Sequence, residues 1–81
     1  MDIENLVKMA NSISNFFSAE PDQQVAVDGV ADHIKRFWEL RMRVAIIKHY
    51  KAGGEGLSAI AKAAIGRLAL EQDKLVNAGN G

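Results

Sequence analysis

Apolar residues recur every three or four positions along most of the chain, the spacing that is typical of amphipathic α-helices. The first such stretch covers residues 3–17, and Asp2 stands where an N-terminal cap is expected. Pro21 ends this helix, because a proline disfavours the helical conformation of the residue before it. Asp22 can then cap the next helix.

A second helix is predicted over 23–38, but neither proline nor glycine marks its end. The phase of the apolar pattern changes near Glu39 instead. One continuous helix would place Arg41 in the middle of its apolar side. We therefore expect a kink or break near residues 38–40 and a third helix that starts at Leu40.

The third helix has two apolar stripes with cationic residues between them. One stripe consists of Leu40, Val44 and Ile47, and the other consists of Met42, Ile46 and Tyr50. Such a helix is either central to the bundle or half covered by something outside the chain.

The two glycines that follow Ala52 predict the end of the third helix, since glycine readily adopts the left-handed conformation found there. Ser58 can cap a last, alanine-rich helix. On that helix Arg67 and Glu71 are four residues apart, a spacing that favours an ion pair. These features predict a glycine-rich connector followed by a fourth helix.

The predicted fold is all-α, a small bundle of three to four short helices, because the sequence has no repeat and no alternating strand pattern. We expect a single helical domain over 1–76 and a frayed tail over 77–81. A domain of this size buries only about 60–65% of the surface of its unfolded chain, so a partner would add stability. No signal peptide or membrane span is predicted, and the cytoplasm is the expected compartment.

Charge is balanced in total, with ten basic and ten acidic residues, but acids concentrate before residue 33 and cations in residues 33–51. The chain has no cysteine and two histidines, so we expect neither a disulfide nor a metal site. The glycines of residues 53–56 lack the strand and the Gly-Lys-Ser/Thr of a phosphate loop. No nucleophile motif is present either, and no catalytic residue is predicted.

The most informative stretch runs from His33 to Arg43 and combines the only tryptophan with four cations. Aromatic residues and arginine are enriched where proteins bind one another. The predicted partner-binding residues are Arg36, Phe37, Trp38, Arg41, Met42 and Arg43. Trp38 has a second interpretation as a core residue.

Phosphate binding is an alternative for the same stretch, because arginine and lysine near a helix start suit phosphate groups. The residues that would make the contacts are His33, Arg36, Arg41 and Arg43. Nucleic-acid binding is a more distant alternative. Against it stand the zero net charge and the lack of both a long basic stripe and a helix-turn-helix pattern.

Several segments carry a family resemblance. They are Asp2-Ile3, Leu6-Val7-Lys8-Met9-Ala10-Asn11-x-Ile13, Phe16-Phe17, Pro21-Asp22 and His33-Ile34-Lys35-Arg36-Phe37-Trp38-Glu39-x-Arg41-Met42-Arg43. In these segments, which cover most of residues 2–47, the chain resembles the delta subunit of cytoplasmic, NAD-dependent, molybdenum-containing formate dehydrogenases. Members of that family usually carry proline where this chain has Leu40, and often where it has Ala59.

The resemblance implies a small non-catalytic subunit with no cofactor of its own, which supports the stability and maturation of the complex. Its implied partner is the catalytic (alpha) subunit, which holds a bis-molybdopterin guanine dinucleotide molybdenum cofactor and iron–sulfur clusters. A chaperone that inserts this cofactor is a further expected partner, and self-association of the isolated subunit is also an expectation. In this setting the phosphate alternative becomes a site for GTP or for the guanine dinucleotide part of the cofactor.

Overall fold

The structure is a computed structural model that describes the backbone of residues 2–80 and the side chains of residues 2–74. The described part contains four helices and no strand, which confirms the all-α prediction. The helices are α1 (Ile3–Phe17), α2 (Gln23–Phe37), α3 (Leu40–Lys51) and α4 (Ala59–Asn80). The predicted frayed tail over 77–81 lies outside the residues whose side chains are described, and it stays a prediction.

Three helix starts are capped by the side chains that the sequence predicts. Asp2 accepts a hydrogen bond from the N–H two residues further on at 3.0 Å, and Asp22 does the same at 2.9 Å. The Oγ of Ser58 accepts a hydrogen bond from the N–H of Ala61 at 3.2 Å. Each cap satisfies a backbone N–H that has no acceptor within its own helix.

The predicted break near residues 38–40 is confirmed. Trp38 has φ −87° and ψ 139°, and Glu39 has φ −65° and ψ 155°, so the chain is extended between α2 and α3. Glu39 makes no capping hydrogen bond with its side chain. Arg43 instead joins the two helices, since its Nη1 donates to the carbonyl oxygen of Lys35 at 3.1 Å. That carbonyl is one that the end of α2 leaves without a helical partner.

All four helices contribute to the core, and α1 and α4 each pack against the other three helices. In contrast, α2 and α3 make few contacts with each other although they are adjacent in sequence. The largest fully buried side chains are isoleucines on three different helices, Ile34, Ile46 and Ile65. Buried alanines on α4 allow its neighbours to approach closely. The second predicted stripe of α3, which contains Ile46, faces this core.

Two helical glycines lie where aromatic rings from other helices pack against the backbone. A Cβ atom at Gly29 would lie 2.5 Å from Cε1 of Phe17, and one at Gly66 would lie 2.7 Å from Oη of Tyr50. Both distances are far below van der Waals contact. These positions therefore need glycine for close packing, despite its low helix propensity.

Candidate partner-binding site

Phe37 is the most exposed aromatic residue of the predicted partner-binding stretch, with 70% of its surface accessible. It is the last residue of α2, and its ring centroid lies 4.8 Å from that of His33. Arg36 beside it is also exposed, and its Nε lies 3.2 Å from Oδ2 of Asp32 on the same helix. The end of α2 thus presents an aromatic ring and a guanidinium group to the surface.

Trp38 has the opposite environment, although it follows Phe37 directly. Only 6% of its surface is exposed, and it belongs to the hydrophobic core. An anchor role would need a ring edge at the surface for a partner to contact, and the burial of Trp38 leaves almost none. Of the two interpretations of Trp38, its burial favours the core residue. Its side chain fills the interior at the break between α2 and α3.

The first turn of α3 places its three predicted residues in three different environments. Arg41 is exposed and forms no ion pair with another described residue. Met42 is half-buried and packs against the core. Arg43 is half-buried and is held by its hydrogen bond to the carbonyl of Lys35. Within this turn, Arg41 is the residue whose charge is most available to another molecule.

The four residues considered for phosphate binding are largely engaged with their own chain. His33 contacts the ring of Phe37, Arg36 pairs with an aspartate, and Arg43 binds a backbone carbonyl. Two clefts flank α3, and Arg43 lines one of them while Arg41 lines the other. The structure therefore does not gather these four side chains around a single cleft. Phosphate binding stays a prediction.

A feature that the sequence did not reveal is a surface groove between α3 and α4, which we call the α3–α4 groove. It is lined by Lys35, Leu40, Arg43, Val44, Ile47, Leu68, Glu71, Gln72 and Lys74. It contains the first predicted stripe of α3, in which Leu40 is 66% exposed, Val44 43% and Ile47 5%. The exposure of Leu40 and Val44 shows that α3 is not central to the bundle, and its covering by something outside the chain stays a prediction.

A comparison with known families gave a match over residues 5–65 to a model described as the NADH-dependent formate dehydrogenase delta subunit FdsD. The match includes every predicted partner-binding residue and covers most of the chain. The chain belongs to this delta subunit family. It is accordingly an accessory subunit of formate dehydrogenase. Neither the curated proteins nor the solved structures gave a match.

In this delta subunit, ion pairs between helices use two of the cations in residues 33–51. Lys35 on α2 pairs with Glu71 on α4 at 3.2 Å, and Lys51 at the end of α3 pairs with Asp73 at 3.0 Å. Arg67 pairs with Asp28 on α2. The predicted pairing of Arg67 with Glu71 is therefore wrong, because both side chains reach partners on α2.

The described part of the delta subunit has neither a membrane-length apolar helix nor a cluster of metal-binding side chains. No helix there is long and apolar enough to cross a membrane. No group of three or more histidine, cysteine, aspartate or glutamate side chains is arranged there to hold a metal ion.

Proposed function

We propose that this chain is a non-catalytic subunit that binds the catalytic subunit of a NAD-dependent, molybdenum-containing formate dehydrogenase and stabilises the assembled enzyme. The observation that carries the proposal is the family match over residues 5–65. A subunit that binds only the folded state of its partner stabilises that state by mass action. Its effect on the enzyme therefore needs no chemistry of its own.

The surface around the break between α2 and α3 supports this proposal. Phe37 is a large, exposed aromatic side chain, and such residues are typical anchors in protein interfaces. Arg41, two residues beyond the break, has no acidic partner among the described residues. Its planar guanidinium group suits a carboxylate on another subunit. An aromatic anchor next to an available arginine gives both binding energy and orientation.

The proposal includes a role in maturation, as the family resemblance implies. If the delta subunit binds the cofactor-loaded catalytic subunit more tightly than the empty one, it favours insertion of the bis-molybdopterin guanine dinucleotide cofactor. A chaperone that delivers this cofactor would then be a second partner. The cytoplasm remains the predicted compartment, since the complex that it serves uses NADH.

Binding of a guanine nucleotide is not proposed as a second function, because three of the four candidate side chains already have partners within the chain. Calorimetric titration of the isolated subunit with GTP tests this directly. The absence of any heat of binding would exclude this alternative. Saturable binding that is lost in the Arg41→Ala variant would instead support a nucleotide site at the start of α3.

The proposed function is tested by removing this subunit from its native host and purifying the catalytic subunit. We expect less assembled enzyme, and less molybdenum per catalytic subunit if maturation is also supported. Wild-type protein should restore both quantities, whereas the Arg36→Ala/Arg41→Ala variant should restore them only in part. Lys8→Ala serves as the control, since it removes an exposed cation from α1. Unchanged amounts of enzyme, metal and formate oxidation would contradict the proposal.

A further inference from the structure

We propose that the α3–α4 groove binds an amphipathic helix of another formate dehydrogenase subunit, and that this helix carries apolar side chains flanked by aspartate and glutamate. The inference rests on the proposed function, since it specifies the chemistry of the partner segment. It also adds surface beyond the predicted partner-binding residues, of which only Arg43 lines the groove. Val44, Ile47 and Leu68 line this surface and lie outside the stretch from His33 to Arg43.

The apolar floor of the groove has the length and spacing that a docked helix needs. Leu40, Val44 and Ile47 lie four and three residues apart on one side of α3 and span about 10 Å of helix axis. Their exposure falls from 66% to 43% to 5%, so the stripe descends from the rim to the floor. Leu68 forms the opposite wall. A channel between two helices accepts a third helix through apolar side chains at matching intervals.

The charges around the groove favour an acidic partner. Three cations, Lys35, Arg43 and Lys74, and one carboxylate, Glu71, line it, which gives a net charge of +2 (three minus one). Glu71 is already paired with Lys35, whereas Lys74 forms no ion pair with a described residue. Opposite charges on the two surfaces give both orientation and faster association.

One cation also flanks the apolar stripe of α3 on its other side. Leu40 and Val44 line a second cleft together with Arg41 and Glu39. Arg41 is exposed and lacks an acidic partner in the described part of the chain. A helix seated on this stripe could therefore place acidic residues towards Arg41 on one edge and towards Lys74 on the other. This arrangement suits a partner helix whose own apolar stripe is bordered by carboxylates on both sides.

A second copy of the chain fits the groove less well. Three of the acids on its helices are already paired with cations of the same chain. These pairs are Asp28 with Arg67, Asp32 with Arg36 and Asp73 with Lys51. A copy would have to break these pairs before the three carboxylates could contact the groove. Another subunit whose acids are not paired would bind without the free-energy cost of breaking ion pairs.

The occupant can be identified by photo-crosslinking within the purified formate dehydrogenase complex. A photoreactive amino acid is placed at Val44 in the groove, or at Val25 on α2 as a matched control. The two valines are similarly exposed, at 43% and 46%, and Val25 does not line the groove. We expect the probe at position 44 to label a segment of another subunit in which apolar residues at helical spacing are flanked by acids.

Three crosslinking results would overturn the inference: labelling of a second copy, labelling of a segment without acids, or no labelling at position 44. If the subunit still co-purifies with the enzyme in these cases, the inference about what binds in the α3–α4 groove is wrong, whereas the proposed function stands. If wild-type protein does not co-purify at all, the proposed function fails first. The two failures are therefore distinguishable.

Affinity measurements with the purified complex give a second test. Val44→Asp should weaken binding by at least about tenfold, because it places a charge in an apolar contact, whereas Val25→Asp should change it by less than about twofold. Lys74→Glu should weaken binding several-fold at low salt, and the loss should shrink at high salt, where charges are screened. Circular dichroism checks that each variant is folded. Equal effects of Val44→Asp and Val25→Asp would overturn the inference.

Discussion

The side chain of Asn11 accepts a hydrogen bond from the backbone N–H of Ser58 at 2.9 Å, although the two residues are 47 positions apart. The Nδ2 of the same side chain donates to the carbonyl oxygen of Gly56 at 2.9 Å. One amide on α1 thus binds a donor and an acceptor in the connector between α3 and α4. Because Ser58 caps α4, this contact also sets where the last helix begins.

Replacing Asn11 with alanine should lower the free energy of unfolding by about 1–2 kcal/mol. The change removes two hydrogen bonds and leaves the N–H of Ser58, which is partly buried, without its acceptor. Urea denaturation measures the loss. Asn15→Ala is the control, because Asn15 is exposed on the same helix and should shift stability by less than about 0.5 kcal/mol. Similar losses in both variants would show that the amide does not hold the connector.

Gly29→Ala should destabilise the protein by about 1 kcal/mol, although alanine normally improves a helix. The new Cβ would lie 2.5 Å from Cε1 of Phe17, and relieving that overlap costs more than the gain in helix propensity. In a Phe17→Ala background the same substitution should become stabilising, because the ring is gone. Thermal unfolding of the four proteins of this cycle provides the measurement. A more stable Gly29→Ala single variant would contradict the packing described for Phe17.

Leu40→Pro should be neutral or stabilising by up to about 1 kcal/mol, because proline restricts the unfolded chain. Leu40 is the first residue of α3, where proline is favoured, and Glu39 before it has the extended backbone that proline requires. This fits the proline that family members usually carry at this position. Val44→Pro, inside α3, should instead cost about 3 kcal/mol or more. Chemical denaturation distinguishes the two, and a strongly destabilised Leu40→Pro variant would contradict the helix start.

Arg43→Ala should destabilise the isolated subunit by about 1–2 kcal/mol, since the carbonyl of Lys35 loses its hydrogen bond from a charged donor. Arg41→Ala should change stability by less than about 0.5 kcal/mol, because its side chain is exposed and without an acidic partner among the described residues. Denaturation of the isolated chain separates these roles. An equal effect of the two substitutions would mean that Arg43 does not join α2 to α3.

Much of this fold could be predicted from the sequence because its signals are local. Asp22 and Ser58 predict helix starts from their own side chains, and both caps are present. The break before α3 could be predicted without proline, since a continuous helix would have buried Arg41. Local residue chemistry and helix phase were sufficient in each case.

Which residues of the predicted partner-binding stretch are exposed and which are buried could not be predicted, because this depends on how the chain turns at the break between α2 and α3. Phe37 and Trp38 are adjacent and both aromatic, yet one is exposed and the other buried. The helical spacing of apolar residues does not predict which way a side chain points once the helix has ended. The contact between Asn11 and Ser58 was missed for a related reason, since nothing in a single sequence links two polar residues so far apart.

The central claim is that this subunit binds the catalytic subunit of formate dehydrogenase through the exposed surface at the end of α2. Phe37 is 70% exposed there, and Phe16 at the end of α1 offers a matched control with 78% exposure. The decisive measurement is the affinity of the Phe37→Ser and Phe16→Ser variants for the purified catalytic subunit. We expect Phe37→Ser to weaken binding by at least about tenfold and Phe16→Ser by less than about twofold. Equal losses, or full binding by Phe37→Ser, would contradict the claim.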